Sequence, residues 1–226
     1  MLFTDRFDAG KKLAVALQKY KTKKEVIILA IPRGALQIGA ILAGELHAPL
    51  DVFVAKKISM PRNEEVAIGA VAQGGIVDLD ARLASLYNVP KEYLAKETER
   101  LRRVVDEKYK HYAGRGTPPL LKNKIVILCD DGIATGHTVM AAVKALRKQK
   151  PKKVIVAVPV ASAEGKKWVA SLADEVVVLA TPEQFFAIGQ FYSSFPQVED
   201  EEAIALLTQS RNATFKSSPM FKKSKE

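Results

Sequence analysis

Short apolar runs recur along this chain, separated by amphipathic stretches. Val26–Ile31, Leu50–Ala55, Ile125–Leu128, Val154–Val160 and Glu175–Leu179 are almost continuous in Val, Ile, Leu and Ala. Strands buried on both faces read this way. Asp8–Lys19, Ala35–Leu46, Pro90–Tyr112, Thr138–Gln149, Ser162–Leu172 and Glu199–Thr208 instead read as helices. In Pro90–Tyr112 the pairs Glu92–Lys96, Glu99–Arg103 and Asp106–Lys110 have favourable i,i+4 order, which marks a solvated outer helix. Val66–Ala72 and Gly75–Leu79 read as strands joined by a tight turn around Gln73-Gly74. Ser59–Glu65 is polar, contains Pro61 and Asn63, and is expected to be a loop. The alternation predicts the α/β class: a mostly parallel sheet flanked by helices, with an aromatic, irregular hood at Pro182–Pro196. Residues 1–210 are expected to form one domain, and 211–226 a basic, disordered tail.

Composition narrows the setting. With 226 residues and 48% hydrophobic content the chain can bury one good core. Its single cysteine, Cys129, excludes an intrachain disulfide and suits a reducing compartment. Met1–Gly10 carries Asp5, Arg6 and Asp8 and does not read as a signal peptide. No apolar run approaches the ~20 residues that span a bilayer. The expectation is a soluble, cytoplasmic protein with no membrane partner. The net charge of +10 fits anionic partners as well as an ordinary basic surface, and part of it lies in Lys216–Lys225. No basic-aromatic alternation or recognition helix is visible, so nucleic acid is not an expected partner. Three histidines and one cysteine form no metal-ligand spacing, and no Gly-x-Ser-x-Gly elbow is present.

In open α/β sheets, ligands bind beyond the carboxyl ends of the strands. After Ile125–Cys129 come Asp130, Asp131, Gly132, Ile133, Ala134, Thr135, Gly136, His137 and Thr138. Adjacent carboxylates repel, which makes sense where sugar hydroxyls or cations share them. Gly132 and Gly136 let backbone N–H groups turn inward, Thr135 and Thr138 add hydroxyls, and the following helix offers its positive end. A ribose 5-phosphate fits such a cup. A Walker loop does not, because His137 stands where Lys would be. A Rossmann fingerprint spaces its glycines differently and has its acid downstream. A plain capped helix after a buried strand, with Asp131 as the cap, would leave two acids, two glycines and two threonines unexplained together.

The order of apolar strand, two acids and Ala-Thr-Gly-x-Thr resembles the signature of the type I phosphoribosyltransferases. These enzymes transfer ribose 5-phosphate from phosphoribosyl pyrophosphate (PRPP) to a nucleophile, usually a nitrogenous base, and release pyrophosphate. The resemblance extends from about Val26 to Leu207 and is weaker outside this loop. It implies that Asp130 and Asp131 hold the ribose 2- and 3-hydroxyls, while Ala134, Thr135, Gly136, His137 and Thr138, with Gly132 in the same loop, bind the 5-phosphate. Members acting on 6-oxopurines typically carry aspartate where this chain has Ala134, so the pattern points away from hypoxanthine and guanine.

Pro32, Arg33 and Gly34 follow the first buried strand and open a helix. Gly34 permits close backbone approach, and Arg33 offers a fork of donors. Beside the acidic loop they resemble the family's pyrophosphate loop, which often carries a strained peptide bond. Lys56, Lys57 and Arg62 lie in or beside the expected loop, and a solvated charged loop is the plainer alternative. In the family this region is a mobile lid whose basic residues close over pyrophosphate. The resemblance implies catalysis by Arg33 with a lysine, Lys56 or Lys57, and Arg62, together with Mg²⁺ held mainly by the ligand. No protein metal ligand is assigned. Phe185, Phe186, Phe191, Tyr192 and Phe195 read first as a satellite core and second as a hood that stacks on the acceptor. Val160-Ala161-Ser162 follows a strand and is placed at the same cleft. Relatives often dimerise, so a homodimer fits, although the sequence carries no interface signal. The alternative reading is a non-catalytic PRPP or nucleotide sensor of the same fold.

Overall fold

Alternate residues of the apolar runs enter two different cores. Val26, Ile28, Ala30, Ile125, Ile127 and Cys129 join one, whereas Ile27, Leu29, Val126 and Leu128 join the other. That is the period-two signature of strands covered on both faces. A computed structural model describes residues 1–61 and 63–217. In chain order the elements are α1 (Arg6–Ala16), β1 (Val26–Ala30), α2 (Ala35–Leu46), β2 (Leu50–Val52), β3 (Ala55–Met60), β4 (Asn63–Ala72), β5 (Ile76–Leu79), α3 (Ala81–Leu86), α4 (Lys91–Ala113), β6 (Ile125–Cys129), α5 (His137–Lys148), β7 (Lys153–Val160), α6 (Ala163–Ala170), β8 (Glu175–Ala180) and α7 (Asp200–Ser217).

The main sheet has five strands in the order β2-β1-β6-β7-β8, all parallel. Helices α1, α2, α4 and α7 supply the first core, and α5 and α6 the second. The expected α/β architecture with helices on both faces is what the chain adopts. No helix of the described residues is long and apolar enough to cross a membrane.

Three expectations need correction. Of the expected loop Ser59–Glu65, Ser59, Met60 and Asn63–Glu65 are strand: β3 and β4 form an antiparallel hairpin that pairs Lys56 with Val71, Lys57 with Ala70 and Met60 with Asn63. The alternation is hard to read because Ile58 alone is fully buried in β3, and register shifts flank Ser59. With β5 the hairpin makes a separate three-stranded sheet, whose turn after β4 has Gly74 and Gly75 at φ +76° and +73°. Helix α3 is an addition to the expected elements; Asp80 caps it by accepting from Leu83 N–H. Helix α7 passes the expected end at Thr208, so residues 211–217 of the anticipated tail are helical. Residues 218–226 lie outside the described ones.

The longer α7 has a physical reason. Asp51, fully buried in β2, accepts from Arg211 and Arg115 at 2.6 Å each and from Tyr109 at 3.1 Å. Arg211 also donates to Ala113 O at 2.6 Å, so α7 is pinned to the sheet and to the end of α4. Breaking a buried pair from one side leaves an uncompensated charge. Asp51→Ala should therefore cost about 3–5 kcal/mol, whereas Arg115→Ala, at a half-exposed side chain, should cost about 0–1 kcal/mol. Urea unfolding of both variants measures the contrast.

Candidate functional site

Parallel pairing of β1 with β6 places Ala30 opposite Cys129, so the loops after both strands leave the sheet side by side. Ile31 N–H donates to Cys129 O at 3.1 Å and carries the pairing one step further. Beyond it the Pro32–Arg33 peptide bond is cis. Gly34 then caps α2. A side-chain carbon on Gly34 would overlap Asp131 Oδ2 and lie 2.8 Å from Arg6 Nε. The two loops therefore approach so closely here that a side chain on Gly34 would displace the Asp131 carboxylate and the Arg6 guanidinium.

Burial dominates the acidic pair. It pushes the Asp130 carboxyl well above the usual carboxylate range, and the neighbouring Asp131 charge pushes the same way. Asp131 is also raised by burial, with Arg6 opposing. Asp130 accepts from Asp131 N–H at 2.9 Å, and Arg6 Nε donates to Asp131 Oδ2 at 3.0 Å. Such a pair is unsaturated in charge and suits a ligand that brings hydroxyl donors and a cation.

The rest of the loop is braced from behind. Ile133 is buried, its N–H donates to Val160 O at 2.9 Å, and Ser162 N–H donates to Ile133 O at 2.8 Å. Ser162 Oγ donates to Ala134 O at 2.5 Å while it caps α6. Val160-Ala161-Ser162 thus lies at the loop, as expected from its place after a strand. Ala134, Thr135, His137 and Thr138 are exposed, and Gly136 takes φ +81° as the N-cap of α5. The N–H groups of a helix's first turn have no intrahelical acceptors, so α5 presents donors and a positive dipole end here.

Arg33 reaches across to α7. Its Nη1 lies 3.5 Å from both Glu199 Oε2 and Asp200 Oδ1. Asp200 also accepts from Tyr112 Oη at 2.7 Å and sits 3.2 Å from His111 Nε2. Lys56 and Lys57 are exposed on β3. Lys108 of α4 is an unanticipated neighbour. Burial, followed by the charge of Lys56 and of Arg33, lowers its pKa, so the three cations lie within electrostatic reach of one another. Arg62 lies outside the described residues.

The hood is mostly core. Phe191 and Tyr192 are buried with Phe3, and the Phe3–Tyr192, Tyr192–Phe195 and Phe185–Phe191 rings pack 5.3, 4.8 and 5.0 Å apart. Phe186 is 85% exposed. The first residues of the chain complete the hood: Leu2 and Phe3 N–H donate to Phe191 O, and Ser193 N–H donates to Phe3 O. Ile188 packs where Gly132 has no side chain, and Tyr192 Oη donates to Asp131 O at 2.7 Å.

Residues 4–193 match the family described as "Phosphoribosyl transferase domain". The chain belongs to the type I phosphoribosyltransferase family. It is 38% identical over 219 residues to a "Putative phosphoribosyl transferase" of Mycobacterium tuberculosis strain H37Rv, and equally to that of strain CDC 1551. The match covers 91% of this chain and 46% of each relative, so the chain spans about half the length of the curated relatives. The crystal structure of TT1426 from Thermus thermophilus is similar, with TM-score 0.84 and 36% identity, over 92% of this chain and 99% of that one.

For a phosphoribosyltransferase domain, the sequence-derived loops Pro32–Gly34 and Asp130–Thr138 do come together. Sequence reasoning missed Arg6, Tyr192 as a partner of the acidic loop, and Lys108. Arg6 precedes the expected start of its helix at Asp8, and nothing local signals a contact 125 residues away. The tight approach at Gly34 yields a direct comparison with Gly44, in α2 with nothing within 4 Å of an added carbon. Gly34→Ala should destabilise by about 1–3 kcal/mol through overpacking. Gly44→Ala should stabilise by about 0.5–1 kcal/mol. Urea midpoints of the two variants read the difference.

Proposed function

We propose that this chain binds PRPP across the two adjoining loops and transfers its ribose 5-phosphate to a nitrogenous base, with release of pyrophosphate. The observation that carries the reading is the contact of Gly34 with Asp131, which makes one cleft of the loops after β1 and β6. In this reading residues 1–210 hold the whole cleft.

The roles follow from chemistry. Asp130 and Asp131 accept the ribose 2- and 3-hydroxyls. Gly132, Ala134, Thr135, Gly136, His137 and Thr138 surround the 5-phosphate at the start of α5. In transfer, the C1–oxygen bond to pyrophosphate breaks, that oxygen keeps the electron pair, and a base nitrogen bonds to C1 as its N–H proton passes to solvent or to the departing pyrophosphate. Charge grows on the leaving oxygens, where Pro32, Arg33 and Gly34 present donors and Lys56 or Lys57 lies across on the hairpin. An oxocarbenium-like ribose is open to attack by water, so movement of the β3–β4 hairpin over the cleft gives exclusion.

Magnesium fits as a ligand-borne ion. No group of three or more His, Cys, Asp or Glu among the described residues could hold a metal, while the raised acidic pair leaves room for an added positive charge. When bound with PRPP, Mg²⁺ neutralises pyrophosphate oxygens. Exposed Ala134 offers no carboxylate to an acceptor, which favours a base other than a 6-oxopurine. The single cysteine, Cys129, is free, which suits a reducing, cytoplasmic setting.

One observation favours a second reading, a PRPP-binding protein without transfer: Glu199 and Asp200 engage Arg33. Pyrophosphate release in a screen of bases separates the two; binding without release supports the sensor. The site assignment has its own test. The double variant Asp130→Asn, Asp131→Asn should abolish ribose 5-phosphate binding while the domain stays folded by circular dichroism. Arg33→Ala should weaken pyrophosphate binding by about 1.5–3 kcal/mol, on the order of 10- to 100-fold, and ribose 5-phosphate binding much less. Intact binding in the first variant, or equal losses in the second, contradicts the assignment.

A further inference from the structure

Arg6 stands in the first turn of α1, far in sequence from every motif, yet it is only 5% exposed. Its guanidinium is held from three sides. Nε donates to Asp131 Oδ2 at 3.0 Å, Nη1 donates to Pro196 O at 2.8 Å, and the group lies 3.6 Å from the centroid of the Phe195 ring. Gly34 is the fourth neighbour, close enough that a side chain there would meet Nε and Nη2. One side chain thus joins the acidic loop, the loop after β1 and the hood. An arginine can do this because its planar fork bonds a carboxylate and a carbonyl while its face lies on a ring.

We propose that Arg6 is a positioning residue that keeps Asp131 ionised and aimed at the ribose hydroxyls while locking the hood to the ribose loop. The inference deepens the PRPP reading and rests on it for the identity of the ligand. The electrostatic reason is general. Two adjacent buried carboxylates cannot both stay charged without a cation close by. The groups facing Asp131 are Arg6 from α1, Asp130 and the Cys129 thiol from its own segment, and Tyr192 from the hood; α2 brings the neutral Gly34. Among these Arg6 alone is cationic. Tyr192 serves the Asp131 carbonyl, not its carboxylate. An ionised carboxylate is a markedly stronger acceptor for a ligand hydroxyl than a protonated one, so losing Arg6 should turn binding into a function of pH. The carboxyl would be protonated at low pH and would recover its charge as pH rises.

The test compares wild type, Arg6→Gln and Arg6→Lys in two ways. In the free protein, carboxyl-carbon NMR titration of labelled aspartate should place Asp131 at a higher pKa in Arg6→Gln than in wild type, with Arg6→Lys between them. In calorimetry with PRPP and Mg²⁺, Arg6→Gln should lose at least tenfold in affinity near pH 6 and regain most of it toward pH 9. Arg6→Lys should lie between the two in its pH profile and fall short of wild-type affinity, because an ammonium keeps the charge but lacks the guanidinium's rigid fork and its stacking face on Phe195. Unchanged Asp131 titration overturns the proposal, as does an equal loss of affinity at every pH with a lowered melting temperature, which is the mark of mere anchoring. Should Arg6→Gln not fold, the comparison of Arg6→Lys with wild type decides. Should wild type bind no PRPP, the transferase reading falls, and the NMR titration still judges Arg6.

Discussion

Parallel pairing of β1 with β6, from Val26 opposite Ile125 to Ala30 opposite Cys129, is the constraint on which the cleft depends. Two chain segments about a hundred residues apart end level with each other because their strands are in register. A slip by one residue would turn every side chain of a strand to the opposite core. It would also lift one loop off the other and separate Gly34 from Asp131. The alternation of Val26, Ile28 and Ala30 with Ile27 and Leu29 between two filled cores is therefore what fixes the site, although none of these residues faces a ligand.

Charge is distributed around the cleft in a way that the register alone does not explain. The floor holds two half-buried carboxylates, with Arg6 bonded to Asp131, and on the other side Arg33 is answered by Asp200 and Glu199, with Lys108 in electrostatic reach of Lys56 and Arg33. Each side carries what the opposite part of a phosphorylated sugar would replace: hydroxyls and a cation for the floor, anionic oxygens for the other side. Helix α7 matters to both function and fold. Its first turn meets Arg33, and farther along Arg211 is locked to the buried Asp51. The hood is tied in the same manner, by Phe3 and Arg6 from the start of the chain.

The sheet and the two loops were legible in the sequence because they rest on local patterns. Apolar runs announce buried strands, and the acids, glycines and threonines of Asp130–Thr138 are consecutive. What was not legible rests on single residues acting at a distance. Strand β3 has one buried residue, Ile58, with polar neighbours, so its alternation is too short to read. The end of α7 depends on Arg211 meeting a carboxylate 160 residues earlier in the chain. Arg6 is invisible for the same reason, since an arginine beside a helix start is an ordinary surface residue until the hood folds over it. The aromatic segment was half read: its rings form the satellite core that the plainer reading gave, with Phe186 left outside.

The central claim is that the loops after β1 and β6 form one site for one ligand. Calorimetric titration with PRPP, with and without Mg²⁺, followed by competition with ribose 5-phosphate and with pyrophosphate, tests it most directly. The account predicts one magnesium-dependent site from which each fragment separately displaces PRPP. Absence of binding to folded protein, or fragments that bind without displacing PRPP, would contradict it.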